Sequence, residues 1–425
     1  MLRVLRLRNF RLLALGQGIS VLGDQFHLVA LPWLVLQLTG NALATGTVLG
    51  MAGIPRAAFM LFGGALTDRL SPRSVMLASN VLRFALVAFL ATLVLTDSIA
   101  LWMLYIFALI FGLVDAFFHP ASSAIVPQIV ERDDLQAANS LNGATAQLSI
   151  FLGPVLAGAM IALLAGGTGA AGEQAVPDQQ GIGIAFAVDA VSFLCSAITL
   201  WLVRLNAHGA QPSVASEKRG IWLDAREGLV AMWRDPALRI IILLVAVINL
   251  GAMGPFAVGI PVLANSRFPE GALAFGIIMS AYGGGLLFGT LLAGAAPKPS
   301  PSCLGPTAVL MVGIVGVGLA LLGFVPTTEL AATTAAAMGA ANGYRLVLFV
   351  SWLQRRTPQA MLGRMMSLVM FAAVGLLPAS TALAGALIDL DLTAFFAGAG
   401  GLITLAAALA AMHPAIRAMG IETTR

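Results

Sequence analysis

Charged side chains are scarce in this 425-residue chain: Asp, Glu, Lys and Arg together make up 10%, where soluble domains run at about a quarter. Hydrophobic residues reach 59%, too many for a soluble fold to cover. Disordered chains are polar and charge-rich, so disorder is excluded by the same shortage. Cysteine is nearly absent. Cys195 and Cys303 lie far apart, without a CxxC pair or a Cys/His cluster, so neither a disulfide scaffold nor a metal site is indicated. Only Lys218 and Lys298 are lysines, and every other cation is an arginine. The net charge of +4 is spread over short segments between apolar runs rather than gathered on one face, which argues against nucleic acid as a partner. Walker A, HExxH and GxSxG sequences are missing, so an ATP-driven pump and the common hydrolases are disfavoured. Gly167-Thr168-Gly169-Ala170-Ala171-Gly172 matches the letters of GxGxxG. It lies in an expected outside loop with no strand before it, so no dinucleotide cofactor is expected.

What is present is a succession of apolar runs, with mean hydropathy +0.94. About 20 apolar residues cross a bilayer as a helix. The runs predict twelve spans, at 12–38, 44–66, 74–96, 99–124, 141–166, 183–203, 237–263, 272–296, 303–325, 328–350, 362–388 and 392–413. The expected fold class is therefore an all-α membrane protein of twelve transmembrane helices, arranged as two pseudo-symmetric six-helix bundles. The halves occupy 1–203 and 237–413, with a linker at 204–236 and a tail at 414–425. Within the linker, Trp222, Ala225, Leu229 and Trp233 recur at helical spacing opposite Asp224, Glu227 and Arg234, which predicts an amphipathic helix at the membrane interface. The basic N-terminus (Arg3, Arg6, Arg8, Arg11) precedes an apolar stretch longer than a signal-peptide core, as a spanning helix would have. With the N-terminus inside, nineteen of the 23 cations fall in inside segments and one, Arg267, outside. This bias predicts both termini in the cytoplasm.

The halves carry a faint repeat. Leu61-Phe62-Gly63 recurs as Leu287-Phe288-Gly289, and Arg132 and Pro154 match Arg356 and Pro378. Such repeats place a midplane site between two halves in many transporters. Polar groups within spans are costly and are functional candidates. Gln17, Ser20, Asp24 and His27 share one face of the first span. Tyr105, Gly112, Asp115, His119 and Ser122 form a stripe on the fourth. Met338, Asn342, Arg345, Phe349 and Trp352 form another on the tenth. Burial penalises a carboxylate's charged form and a nearby cation favours it, so a carboxylate in a wet cavity can carry a proton. Asp24 is the first candidate and Asp115 the second. The alternative is that either one pairs with Arg56 or Arg83 as a structural ion pair. Asp189, near the outer part of the sixth span, reads as structural or interfacial. Gln17, Ser20, His27, His119, Asn342, Arg345 and Phe349 are the candidates for lining a substrate cavity.

Two local patterns add to these. The loop from Gly64 to Arg73 combines Gly64 for close helix approach, Asp68 as an acceptor at a helix N-terminus, and Arg69 and Arg73 on the inside. In the fifth span, Gly153 and Pro154 with Gly158 give a kinkable helix with a small-residue face, suited to close packing.

At these residues the chain resembles the major facilitator superfamily, within it the drug-exporter branch of macrolide efflux proteins and the enterobactin exporter. The resemblance lies in Asn9-Phe10-Arg11, Gly16-Gln17, Ser20, Gly23-Asp24, Leu31-Pro32-Trp33, Thr39-Gly40, Pro120-Ala121, Ala138-Asn139-Ser140, Glu227-Gly228 and the loop from Gly64 to Arg73. Ser71 and Pro72 stand where the usual loop signature has a glycine and its first basic residue. The resemblance implies the major facilitator fold, rocking between inward- and outward-open states, and efflux of drug-like amphiphiles by proton exchange. It also implies a cytoplasmic latch at Asp68, Arg69 and Arg73. No cofactor is implied beyond the proton gradient. The partners expected are a small amphiphilic substrate and the bilayer of a bacterial cytoplasmic membrane, with the monomer as working unit. A native metabolite such as a siderophore or a lysophospholipid is the alternative substrate.

Overall fold

The computed structural model describes residues 2–67, 71–165, 179–203, 233, 235–297, 299–300, 302–357, 365–366, 369, 372 and 375–417. A short helix, Leu2–Arg6, precedes the first span. Six helices form the first half: α1 (Arg8–Thr39), α2 (Ala42–Thr67), α3 (Pro72–Leu95), α4 (Leu101–Ile125), α5 (Leu135–Leu164) and α6 (Gln179–Leu202). The second half opens with α7, which runs from Pro236 to Gly254, through one π-helical turn at Pro255–Gly259, and on to Arg267. It continues with α8 (Ala272–Ala295), α9 (Leu304–Leu322), α10 (Thr328–Arg356), α11 (Leu377–Ile388) and α12 (Leu392–Met412); a turn at Gly375–Leu376 precedes α11, so the run 362–388 is not one unbroken helix. The count of twelve agrees with the apolar runs. Among the described residues, nine helices are long and apolar enough to cross a membrane. Outside that set are α2, with Arg56 in it, α10, which carries Glu329, Arg345, Arg355 and Arg356, and the 12 described residues of α11.

Sequence punctuation sets the helix ends. Ser71, Asp235, Thr327 and Asp391 each accept a backbone N–H of the following first turn, and Pro72 and Pro236 occupy the first helical position. Gly40 ends α1 in the left-handed conformation, φ 60°, which glycine adopts without strain. α10 runs to Arg356 rather than stopping at residue 350, because its last turn is basic and complements the helix dipole. Hydropathy alone ends it at the last apolar residue. Asp235, the cap of α7, also accepts Arg356 Nε at 2.7 Å. Burial raises the Asp235 carboxyl, but the Arg356 bond and the N–H groups of Leu238 and Ala237 outweigh it and hold it below the ordinary carboxylate value. Its contribution to stability is therefore present above that ordinary value and is lost as pH falls through the lower folded one.

Lipid gives no hydrophobic drive between helices, so small residues and interhelical hydrogen bonds hold the halves together. At the α5–α8 crossing, a Cβ on Gly276 would stand 2.4 Å from the Pro154 carbonyl oxygen, and one on Gly158 would stand 2.4 Å from the Ala272 carbonyl oxygen. The Val155 N–H, beside Pro154, donates to Ser280 Oγ at 2.8 Å. The α2–α11 crossing mirrors this arrangement. Gly46 faces the Thr381 carbonyl and Gly53 faces Pro378, the repeat partner of Pro154. Asp389 accepts from the N–H groups of Ala42 and Leu43 at 3.2 and 3.3 Å, and Gln37 donates to Asn265 at 3.2 Å. These approaches lie between mid-helix and the face away from the chain termini. The loop Gly167 to Gly172, the linker helix except Trp233, and the loop residues Asp68 and Arg69 lie outside the described residues.

Replacing Gly276 by Ala sets a methyl against backbone at Pro154 and Val155. Gly276→Ala is expected to cost about 1–3 kcal/mol, whereas Gly313→Ala, whose Cβ meets open space, is expected to cost nothing. Thermal unfolding of the two variants in detergent checks the contrast.

Candidate functional site

Away from the ends of the described helices, three arginines and three aspartates lie within the spans: Arg56, Arg83, Arg345, Asp24, Asp115 and Asp189. Five of the six are in the first half. Asp115 on α4 accepts Arg56 Nη2 of α2 at one carboxylate oxygen and Arg83 Nη2 of α3 at the other. The ion-pair alternative read from the sequence is thus the arrangement the structure shows for Asp115. Arg83 is 2% exposed, and its guanidinium carbon lies 4.0 Å from the Phe118 ring centroid, with Phe193 at 5.4 Å and Phe111 at 5.7 Å. Aromatic faces and one carboxylate together solvate a cation that lipid could not. One spanning helix of three is tied to the next through this bridge.

On α1, Asp24 is half-buried and makes no hydrogen bond or ion pair with any described residue. The opposite side of α1 shows exposed Leu15 and Ile19, an apolar face suited to lipid. Asp24 lies on the other side of α1, within electrostatic reach of Arg83, Asp189, Asp115 and Arg56. His27, one turn on, stacks on Phe111 at 4.7 Å and 8° and lies near Phe107 and Phe186. Its Nδ1 is 3.5 Å from Asp189 Oδ2. Asp189 is fully buried, and Ser192 Oγ donates to its backbone carbonyl at 2.7 Å. The crossing of α1 and α6 is so close that a Cβ on Gly23 would stand 2.0 Å from Ser192 Oγ. Asp189 thus reads as part of the interior cluster, a placement the sequence hid because it depends on that crossing.

The remaining candidates scatter around this cluster. Ser20 is buried on α1 and Gln17 is half-buried. His119 is exposed, its ring edge-on to Phe118 at 6.1 Å, and both Ser122 and Ser123 bond its carbonyl. Gly153 lies against Gln25 of α1. Gly64 falls in the last turn of α2. Arg73 donates from Nε to the Leu200 carbonyl at 2.9 Å and from Nη2 to the Trp201 carbonyl at 2.6 Å, capping the end of α6 within the first half. In the second half, Asn342 Nδ2 donates to the Tyr282 hydroxyl at 2.8 Å, and Arg345 Nη2 donates to Asn342 Oδ1 at 2.6 Å. The Tyr282 ring lies 4.5 Å from that of Phe256. Phe349 and Trp352 are buried. Tyr282 and Phe256 were not among the expected site residues. One signal was available: Tyr282 is one of three tyrosines in the chain and abuts Gly283-Gly284-Gly285. Among the described residues no cluster of His, Cys, Asp or Glu is arranged to hold a metal ion.

Removing one partner from a buried ionic bridge strands the others. Asp115→Asn is expected to destabilise the protein by about 3–5 kcal/mol, and Asp24→Asn by less than about 1 kcal/mol. Unfolding of the purified variants, followed by tryptophan fluorescence, checks this order.

Comparison with known proteins adds three findings. The model of the Major Facilitator Superfamily matches residues 13–379. Among curated relatives, the multidrug efflux pump Tap of Mycolicibacterium fortuitum is 29% identical over 376 residues, covering 86% of each chain. Macrolide efflux protein A of Streptococcus pyogenes is 21% identical over 355 residues, covering 83% of this chain and 82% of its own. Solved structures with the same fold include the nucleoside transporter NupG, with TM-score 0.69, 12% identity and coverage of 95% and 98%. A bacterial homologue of the iron transporter ferroportin has TM-score 0.67 at 17% identity and covers 99% of both chains.

Proposed function

Because this chain belongs to the Major Facilitator Superfamily, a family of secondary transporters and not of enzymes, we propose that it exports amphiphilic small molecules, drug-like compounds among them, by alternating access driven by proton exchange. The relatives named for multidrug and macrolide efflux support the direction and the kind of substrate. The observation that carries the coupling is the contrast between two carboxylates in one cluster. Asp115 is held by two arginines, while Asp24 is half-buried and without a partner. A carboxylate that already satisfies two guanidiniums gives up little by staying ionised. A carboxylate with no hydrogen-bonded or ion-paired partner exchanges a proton more readily than one fixed by two guanidiniums.

In this reading Asp24 carries the proton, and Gln17, Ser20, His27, His119, Asn342, Arg345 and Phe349 border the substrate path. Asp115 acts through the two arginines it fixes. The closest approaches of the halves lie away from the terminal face, which supports a state open toward that face. The cation bias puts that face in the cytoplasm, with both termini there, in a bacterial cytoplasmic membrane. Gly64, Asp68, Arg69 and Arg73 close that side in the alternate state, and Gly153, Pro154 and Gly158 of α5 supply the small-residue surface on which the halves rock. Residues 204–236 link the two bundles, and a single chain suffices for transport.

Asp24→Asn is expected to abolish efflux driven by a pH gradient in reconstituted vesicles while leaving substrate binding and expression intact. Unchanged substrate-dependent proton release from the variant would remove Asp24 from the coupling.

A further inference from the structure

The two halves are built alike but charged differently. Gly112 of α4 and Gly339 of α10 occupy matching places. A Cβ on Gly112 would stand 2.0 Å from the Ala52 carbonyl oxygen of α2, and one on Gly339 would stand 2.1 Å from the Tyr282 carbonyl oxygen of α8. One turn further on each helix come Asp115 and Asn342. Arg56 bonds Asp115 from α2, and Tyr282 bonds Asn342 from α8. Where the first half has a carboxylate, the second has an amide. Arg345 follows on the same face of α10, and the matching first-half position is Phe118.

Arg345 therefore lacks what Arg56 and Arg83 share. Between residues 236 and 413 the acidic residues are Glu270, Glu329, Asp389 and Asp391, all in loops or helix ends at the face away from the termini. No acid of the second half lies within a span. Arg345 donates to the neutral Asn342, and its Nε, like those of Arg56 and Arg83, is buried without a hydrogen-bond partner, so the difference lies in the missing carboxylate. Beside it lies a recess of about 30 Å³ walled by Ile241, Val245, Val309, Val312, Leu348 and Phe349. That space admits one small group, but apolar walls offer a water none of the several polar partners it needs. A guanidinium with a free N–H edge and hydrocarbon around it is the recognition pattern for an acid joined to an apolar body.

We propose that Arg345 is the docking point for the acidic group, a carboxylate or a similar small anion, of a transported amphiphile, with the recess taking one small apolar group beside it. This rests on the export reading and narrows its substrate class to amphiphilic acids. Asn342 and Tyr282 hold the guanidinium in place, so they are positioning residues. The site also accounts for the chain's uneven charge: the first half keeps its anion permanently, and the second half receives one with each substrate.

The test uses a matched pair of probes, dansyl-labelled undecanoic acid and its methyl ester, with the full-length protein. Binding is measured in detergent and gradient-driven transport in vesicles, for wild type, Arg345→Gln and Arg345→Lys. Wild type is expected to bind the acid about tenfold or more tightly than the ester. Arg345→Gln is expected to erase that preference by weakening the acid alone. Arg345→Lys, which keeps the charge and loses the fork, is expected to retain part of it and serves as the working variant if Arg345→Gln fails to fold. Equal losses for acid and ester would overturn the proposal, as would a wild-type protein that prefers the ester. Displacement of the acid by sodium chloride but not by sodium gluconate, with no acid preference in transport, would mark a free-halide site and would also overturn it. Binding is scored without a gradient, so selective acid binding with no transport would uphold Arg345 and count against the export reading instead.

Discussion

An ionised side chain left alone in hydrocarbon costs several kcal/mol, and this chain places six ionisable ones in the interior of its spans. The bridge from Asp115 to Arg56 and Arg83 is how the first half meets that cost. It draws α2, α3 and α4 around one carboxylate, and the rings of Phe111, Phe118 and Phe193 close over Arg83. The bridge also determines what remains. Both arginines of the first half hydrogen-bond Asp115, and Asp24 is left with only their longer-range attraction. The wall of α1 that faces the interior then keeps a carboxylate with no fixed partner. The proposed proton site at Asp24 is thus the carboxylate that the bridge leaves without a hydrogen-bonded partner.

The same economy of contacts shapes the boundary between the halves. The alternating access proposed for the chain would gain little from long interlocking side chains, and the described boundary is built mainly of small ones. α5 meets α8, and α2 meets α11, through glycines, alanines and the flat faces of Pro154 and Pro378. Backbone approaches backbone at both crossings, and the two crossings repeat each other about the pseudo-symmetry axis. The symmetry is one of packing and not of charge. Asp115 of α4 sits between two arginines, whereas Asn342 of α10 gives Arg345 a neutral partner and no carboxylate.

Much of the fold was legible because lipid imposes simple rules. Runs of about 20 apolar residues became helices within a few positions of where hydropathy put them, and Ser71-Pro72 and Asp235-Pro236 marked helix starts. The stripe of Gln17, Ser20, Asp24 and His27 was readable from helical spacing alone, as was the option that Asp115 pairs with arginine. Which arginines Asp115 would bind was not, because it depends on which helices are neighbours. Asp189 looked peripheral in sequence and proved central, since the glycine at position 23 lets α6 close against α1. Tyr282 and Phe256 were missed because an aromatic within an apolar run carries no mark of its polar partner. The isolation of Arg345 needed the matching half for contrast, and a linear reading supplies no such comparison.

The account turns on whether Asp24 is the carboxyl group that changes protonation when substrate arrives. Infrared difference spectroscopy of the reconstituted protein, with and without a transported amphiphile, measures this at the protonated carboxyl stretch. The account predicts a substrate-dependent change in that band which is absent in Asp24→Asn and persists in a folded Asp189→Asn protein. A band that changes identically in Asp24→Asn, or no carboxyl change at all while transport proceeds, would contradict it.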